Sequence, residues 1–376
     1  MKPWRNFRVL FLLLVLVAGA AILLLREHRP SFLRPDLHLN AYVTTADGSV
    51  TVIDLVKLAA VSKIPVGMGL SGMREHPTRA EIWGVSSAGG FVWVLDARTY
   101  RIAARIQVGA QPYGLDFSRD GNRVYTTSAG SDTLVAIDCE SRLVIGRAKT
   151  GREPLQVRVT PDGKTLLVVN RQDGTLGVHD AATLQLRGYI TVVGQPEDVA
   201  VLPDSSAAFV LSRSERKISV VDLRRGVLLT HLELAGKPTQ MLLKPDGGEL
   251  YVISPEAHGL QAINTATHEV GDYLLLGDAP SEGALLPDAS AMFVSDAAAG
   301  RVMPVDIVNR RVFRPISAGQ FPAAMRFTPG ENPSLLLVVN HASGDLAVIR
   351  IRPDSQSLLT MIPVGDKPEN LAVKLF

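Results

Sequence analysis

The sequence has a single cysteine, Cys139, among its 376 residues. An intrachain disulfide is therefore excluded, and so is covalent c-type haem, whose attachment needs two thiols followed by a histidine. Cys139 follows Asp138 where we predict that a strand ends, and no basic partner is evident nearby. We therefore expect a buried and unreactive thiol.

Motifs of catalysis and metal binding are also missing. The sequence has no Gly-x-Ser-x-Gly nucleophile elbow and no glycine-rich phosphate loop. None of its histidines has the spacing of a known metal motif; they are His28, His38, His76, His179, His231, His258, His268 and His341. We assign no catalytic residue and no metal ligand from the sequence, and we expect no cofactor.

Most of the chain has no excess of positive or negative charge. The whole sequence has 39 basic and 37 acidic residues. Residues 1–29 hold five of the basic residues and one of the acidic ones, so the remainder carries 34 and 36. A near-neutral body without a basic stripe argues against nucleic-acid binding.

One long hydrophobic run is present at residues 9–25, where 17 residues lack any charge. This length is at the lower limit for a membrane-spanning helix. More basic residues precede the run than follow it, which favours a cytoplasmic N-terminus. We predict that residues 1–29 are a cytoplasmic stub and an inner-membrane anchor, and that residues 30–39 are a spacer. The rest of the chain would then lie on the periplasmic side; a signal peptide cleaved near Ala18-Gly19-Ala20 is the alternative.

The strongest pattern is a repeat with a fixed step of 42 residues. A short acidic or amide residue recurs at this step, at Asp54, Asp96, Asp138, Asp180, Asp222, Asn264 and Asp306. A proline recurs at the same step, at Pro112, Pro154, Pro196, Pro238, Pro280 and Pro322. Two sets of residues that recur with the same period indicate one structural unit copied along the chain.

Each unit predicts four short β-strands. In residues 154–193, four apolar runs are separated by tight turns, which is typical of an antiparallel meander. Pro161-Asp162-Gly163 suits the first turn, because proline sets φ at one corner and glycine accepts a positive φ. We expect Asp180, at the end of the third strand, to accept hydrogen bonds from the backbone N–H groups that follow it.

The repeat resembles the YVTN family of β-propeller repeats, which includes surface-layer and YncE-like bacterial proteins. The resemblance is carried by Tyr42-Val43-Thr44-Thr45, Tyr251-Val252-Ile253-Ser254 and the strand Val50-Thr51-Val52-Ile53-Asp54. It implies a single all-β propeller over residues 40–376, made of four-stranded antiparallel blades. It says little about function.

Counting the links between units predicts eight blades, with seven as the alternative. Each link has a glycine, at Gly67, Gly109, Gly151, Gly194, Gly236, Gly277, Gly319 and Gly365. Residues 40–66 supply only three strands, and the C-terminal segment 369–376 has the sequence of a first strand. We predict that this segment completes the first blade and closes the ring.

Candidate site residues lie where the links and the turns between second and third strands converge, at one mouth of the channel. The residue two after each linking proline is polar in five units, at Gln156, Asp198, Gln240, Glu282 and Asn370. These residues form a candidate ligand ring, or they satisfy the backbone of neighbouring loops. Arg171 and Arg213, on turns of adjacent blades, are candidates for an anion or an acidic partner, with a solvated charge cluster as the alternative.

The leading functional hypothesis is a monomeric, membrane-anchored propeller that binds a protein or a small ligand at its channel mouth. A lactonase- or lyase-like enzyme is the first alternative, because related propellers have similar sequences. An electron-transfer propeller of the haem d1 type is the second, because that domain also has eight blades.

Overall fold

The computed structural model describes residues 37–330, 335–352 and 355–376. The predicted membrane anchor, most of the spacer and residues 331–334 of the last unit lie outside the described residues. No helix able to cross a membrane occurs in the described part of the chain. The described residues form strands and turns, arranged as eight antiparallel sheets.

Each sheet is one blade with its first strand innermost. Blade 1 contains β1 (Leu39–Thr44), β2 (Ser49–Asp54), β3 (Ala59–Pro65) and the last strand of the chain, β33 (Leu371–Leu375). Blade 2 contains β4 (Leu70–Glu75), β5 (Glu81–Ser86), β6 (Phe91–Asp96) and β7 (Arg101–Gln107). Blade 3 contains β8 (Pro112–Phe117), β9 (Arg123–Ser128), β10 (Thr133–Asp138) and β11 (Val144–Lys149). Blade 4 contains β12 (Pro154–Val159), β13 (Thr165–Asn170), β14 (Thr175–Asp180) and β15 (Leu186–Thr191).

The second half of the ring repeats this plan with one irregular outer edge. Blade 5 contains β16 (Asp198–Val201), β17 (Ala207–Ser212), β18 (Lys217–Asp222) and β19 (Val227–Glu233). Blade 6 contains β20 (Gln240–Leu243), β21 (Glu249–Ser254), β22 (Gly259–Asn264) and β23 (Val270–Leu275). Blade 7 contains β24 (Pro280–Leu285), β25 (Ala291–Asp296), β26 (Arg301–Asp306) and an outer strand split into β27 (Arg311–Val312) and β28 (Ile316–Ser317). Blade 8 contains β29 (Pro322–Phe327), β30 (Leu335–Asn340), β31 (Asp345–Ile351) and β32 (Gln356–Pro363).

The repeated aspartate has the predicted turn role. Asp180 Oδ1 accepts hydrogen bonds from the backbone N–H groups of Ala182 and Thr183, at 3.0 and 2.9 Å. Asn264 keeps this geometry with Ala266 and Thr267, at 2.9 and 3.0 Å. The side chain therefore holds the turn between third and fourth strands.

The hydrophobic core is divided among the gaps between blades. Eight clusters of buried side chains occur, and each draws its members from two neighbouring blades. Trp83 of blade 2, for example, packs with Phe117 of blade 3, with ring centroids 6.0 Å apart. Because each blade buries both faces against neighbours, the fold depends on an unbroken ring.

The ring closes as the sequence predicts. β33 pairs antiparallel with β1, from Leu39 opposite Leu375 to Val43 opposite Leu371. Two backbone hydrogen bonds of 3.1 Å extend the pairing, from Thr44 N–H to the Asn370 carbonyl and from Glu369 N–H to the Thr44 carbonyl. This strand completes the eighth sheet, so the count of eight is confirmed.

Removing residues 369–376 is expected to destabilise the whole propeller. The deletion exposes the inner edge of β1 and opens two of the core clusters, to which Leu371, Val373 and Ala372 belong. We expect a melting temperature at least ~10 °C lower, or aggregation. Differential scanning calorimetry of the full chain and the deletion variant measures this.

The matched control is Leu375→Ala, in the same strand but with a side chain 43% exposed. It should melt within a few degrees of the parent protein. A synthetic peptide covering residues 366–376 should restore part of the lost stability in trans. An unchanged melting temperature in the deletion variant contradicts the closure.

Candidate functional site

Eight first strands line the central channel, in the order β33, β4, β8, β12, β16, β20, β24 and β29. Side chains alternate along a strand, so residues two and four positions after the linking proline share one direction. These side chains point along the channel wall toward the next blade. Arg74, for example, contacts Asp116 of blade 3, and Gln240 contacts the backbone of Gly283 in blade 7.

A cavity of about 680 Å³ lies inside the ring against blades 1 to 4 and blade 8. Its charged lining residues are Arg74, Arg119, Arg158, Arg326, Glu75 and Asp116. Four arginines therefore face two carboxylates, and the cavity has a net positive charge. Gln156 and Asn370 also line it, whereas Gly72 and Gly114 leave space where other units carry side chains.

Three guanidinium groups define the electrostatics of this cavity. Arg74 lies 3.4 Å from Asp116, and Arg158 lies 3.3 Å from Asp198. Arg326 donates a hydrogen bond of 3.1 Å to the Met325 carbonyl and has no carboxylate within ion-pair distance in the described ranges. The difference follows from sequence, because the blade after Arg326 offers Asn370 and not an acid at the adjoining position.

The three arginines repel one another. Burial lowers the pKa of Arg74, and the charges of Arg158 and Arg326 lower it further, whereas the carboxylate of Asp116 opposes the shift. The Arg74 side chain nevertheless keeps 41% of its surface accessible within the cavity. An anion bound there would relieve the repulsion and accept charge-assisted hydrogen bonds.

Glu282 belongs to the opposite arc of the wall, on blade 7. Burial raises the pKa of its carboxyl to about 7, a shift that Arg213 and Arg326 oppose and Asp198 assists. Its carboxylate has no hydrogen bond or ion pair with any described residue. Glu282 is therefore a half-buried acid that gains or loses its proton near neutral pH, and its carboxyl receives no hydrogen bond from the described residues.

The other predicted ring residues contact neighbouring blades. Gln240 Oε1 accepts a hydrogen bond of 2.6 Å from Gly283 N–H, and Asn370 Nδ2 donates one of 3.2 Å to the Leu70 carbonyl. Gln156 Oε1 lies 3.4 Å from an Arg158 nitrogen. These contacts fit the structural alternative for the amides, and their role in ligand binding stays a prediction.

Arg171 and Arg213 lie at the mouth and do not line the cavity. They bracket Glu197, with nitrogen–oxygen distances of 3.6 and 3.4 Å, and Arg171 also contacts Glu153 at 3.1 Å. This network links blades 4 and 5. Arg213 is brought near Glu282, whereas Arg171 is held by carboxylates, so a ligand role for Arg171 also stays a prediction.

Sequence reasoning missed the second layer of the channel. Arg74, Asp116, Arg158 and Arg326 are not among the candidate residues that the sequence predicts. All four lie four residues after the linking proline or its equivalent, two residues beyond the position that defines the predicted ring. The alternation of a β-strand places both positions on one side and is the signal that finds them.

Groups with reactive or metal-binding side chains lie elsewhere. Cys139 is buried, and burial raises the pKa of its thiol to about 12. The lining residues of the cavity include no histidine. Within the described ranges, no group of three or more His, Cys, Asp or Glu residues could hold a metal ion.

The architecture and channel define an eight-bladed β-propeller with a charged central cavity. A family model for YncE-like β-propellers matches residues 89–291, more than half of the chain. The chain belongs to this family, which confirms the resemblance found in its repeats. A search of curated proteins gave no significant match.

Solved structures resemble the fold at low sequence identity. Dihydro-heme d1 dehydrogenase NirN, in complex with DHE, matches with a TM-score of 0.74 and 16% identity, over 92% of this chain and 77% of NirN. Hydrazine synthase of Kuenenia stuttgartiensis matches with a TM-score of 0.60 and 19% identity, over 75% of this chain and 96% of that one. A functionally unknown protein from Desulfotomaculum acetoxidans matches with a TM-score of 0.60 and 15% identity, over 77% and 97%. At these identities the likeness shows the fold alone.

Replacing Glu282 by glutamine is expected to stabilise the protein in a pH-dependent way. An acid whose pKa is raised in the folded state, here from 4.5 to about 7, destabilises that state once it ionises. The penalty is absent below the unfolded pKa and is complete above the folded one. Near pH 4 the variant should match the parent, whereas above pH 7 it should be more stable by about 1–3 kcal/mol.

Melting temperatures between pH 4 and pH 8.5 test this prediction. Glu269→Gln, at an exposed position between β22 and β23, is the control and should not show the gain in stability above pH 7. A Glu282→Gln difference that is the same at every pH contradicts it.

Proposed function

We propose that this protein is a membrane-anchored, extracytoplasmic binding module that takes a small anionic ligand into its channel. The observation that carries the proposal is the convergence of Arg74, Arg158 and Arg326 on one cavity of about 680 Å³. This volume lies within the range of small-molecule sites in proteins, about 300–1,000 Å³. Guanidinium groups provide the planar donors that carboxylates and phosphates accept.

Arg326 is the proposed anchor for the ligand. It uses one N–H on a backbone carbonyl, and the remaining donors have no carboxylate partner among the described residues. Arg74 and Arg158 each have one acid nearby, so they assist with the donors left over. Binding needs no change in the fold, because these residues lie on first strands of the ring.

Calorimetric titration with glutarate, citrate and inorganic phosphate at low salt tests the proposal. The full-length protein in mild detergent should bind at least one of these anions. Arg326→Gln and Arg74→Gln should each weaken binding at least about tenfold, since each loses a charge-assisted contact. Arg225→Gln, on an exposed turn of blade 5, is the control with the same charge change.

Binding should also weaken as salt is added, because it depends on charge. Absence of binding for all three anions overturns the anion proposal. Equal losses in the Arg225→Gln control would reduce it to an effect of overall charge.

The membrane anchor is part of the proposal and rests on the apolar run at residues 9–25. In bacterial fractionation, the full-length chain should sediment with the inner membrane and resist carbonate extraction. A chain in which an unrelated cleavable signal replaces residues 1–29 should be soluble in the periplasm. Recovery of the full-length chain as a soluble form beginning just after Ala20 would favour the cleaved-signal alternative.

A second candidate ligand is a tetrapyrrole with carboxylate substituents. The observation that favours it is the likeness to NirN over 92% of this chain, together with arginines suited to carboxylates. The cavity offers partners only for the carboxylate groups of such a ligand. No cavity-lining residue is histidine, which is a common axial ligand of haem iron. A visible absorption band in the purified protein supports this candidate, and a featureless spectrum after incubation with haem removes it.

The enzymatic alternative gains no support from the described contacts. Asp198 is ion-paired with Arg158, and the carboxyl group of Glu282 has no hydrogen-bond partner among the described residues. A general acid and a general base within reach of one another are needed for lactone hydrolysis or elimination.

A further inference from the structure

We infer that the channel ligand is amphoteric, with an anionic group bound by the arginines and a protonated amine facing Glu282. This inference rests on the proposed function, since it uses the same channel. It adds a requirement that anion binding alone does not make.

The first argument is a separation of charge along the channel. Two residues after the linking prolines, the side chains include Gln156, Asp198, Gln240, Glu282 and Asn370, and no cation. Two residues further, they include Arg74, Arg158 and Arg326 with one acid, Asp116. The layer nearer the links is therefore acidic or neutral, and the next layer is basic.

The second argument is the separation around the ring. The arginines belong to blades 2, 4 and 8, whereas Asp198 and Glu282 belong to blades 5 and 7. Blades 4 and 8 are four apart in a ring of eight, so they stand on opposite sides of the channel. Glu282 belongs to the blade that precedes Arg326, and the charge of Arg326 acts on its carboxyl.

The third argument is that Glu282 lacks a partner while its neighbours have theirs. Side chains of the wall point to the next blade, where Arg74 meets Asp116 and Arg158 meets Asp198. The Glu282 carboxylate, on the blade before Arg326, forms no ion pair with that arginine or with any other described residue. Burial raises the pKa of its carboxyl to about 7, against the charges of Arg213 and Arg326 and with that of Asp198, so the group is partly protonated at pH 7. A ligand ammonium would supply the missing donor and favour the ionised carboxylate.

Matched ligands that differ by one amino group test the inference. Glutarate and glutamate form one pair, and adipate and 2-aminoadipate form another. In calorimetric titration at pH 7, the amino member of at least one pair should bind about tenfold more tightly. Titrations in two buffers with different ionisation enthalpies should show proton release for that member, because Glu282 loses its proton on binding.

Two variants separate the roles of the two charges. Glu282→Gln should abolish the preference for the amino member and the proton release, whereas the plain dicarboxylate should bind no more weakly than to the parent, because a carboxylate that repels it is removed. Arg326→Gln should weaken both members of a pair by similar factors. Glu282→Gln keeps size and hydrogen-bonding atoms, so a misfolded variant is not expected, and its melting curve checks this.

Each outcome decides between the two levels of the proposal. Equal binding of amino and plain members leaves the anion site standing and overturns the amphoteric ligand. A preference that survives Glu282→Gln also overturns it. If no member of either pair binds and the anion panel also fails, both the site and its ligand class are wrong.

Discussion

The pairing of β33 with β1 is the constraint on which the rest of this structure depends. Each blade of the ring buries both faces against its neighbours. All eight core clusters therefore form only if every blade has a neighbour on both sides. The inner strand of blade 1 is β33, which is the last strand in the chain order. Five residue pairs, from Leu39 with Leu375 to Val43 with Leu371, therefore determine whether the ring is complete. An open array would leave a strand edge and two apolar faces in water. The channel and its charged wall exist only as a result of that closure.

The regular part of the molecule was predictable because its causes are local. The turn role of Asp180 depends on backbone groups two and three residues away, and the turn at Pro161-Asp162-Gly163 depends on allowed φ values. Both recur in every unit where the sequence keeps the residue. The blade count followed from aligning these turns, which left three strands at one end and one at the other.

The site was predicted only in part because its causes lie between blades. The position two after the linking proline was identified as facing the channel, and Glu282 proved to be an unpartnered acid there. The electrostatic role of Arg326 was missed, since it depends on what the next blade lacks. Arg74 and Arg158 each contact an acid on the following blade, whereas the corresponding positions after Arg326 hold Asn370 and Ala372. A repeat shows what its units share, and ligand binding depends on how two neighbouring units differ.

The distance in sequence between the closing strands also has a consequence for how the chain acquires its structure. Leu39 and Leu375 are separated by 336 residues along the chain. Bringing them together therefore has nearly the largest entropic cost of loop closure that is possible in this chain. During synthesis β1 has no inner partner strand until the other seven blades and then β33 have been made. The ring therefore cannot be completed before the residues of β33 have been made, and the slowest step is expected to be the insertion of this short strand. Until then the inner edge of β1 is open to pairing with other chains, so a chaperone that covers this edge would protect the unfinished ring from aggregation.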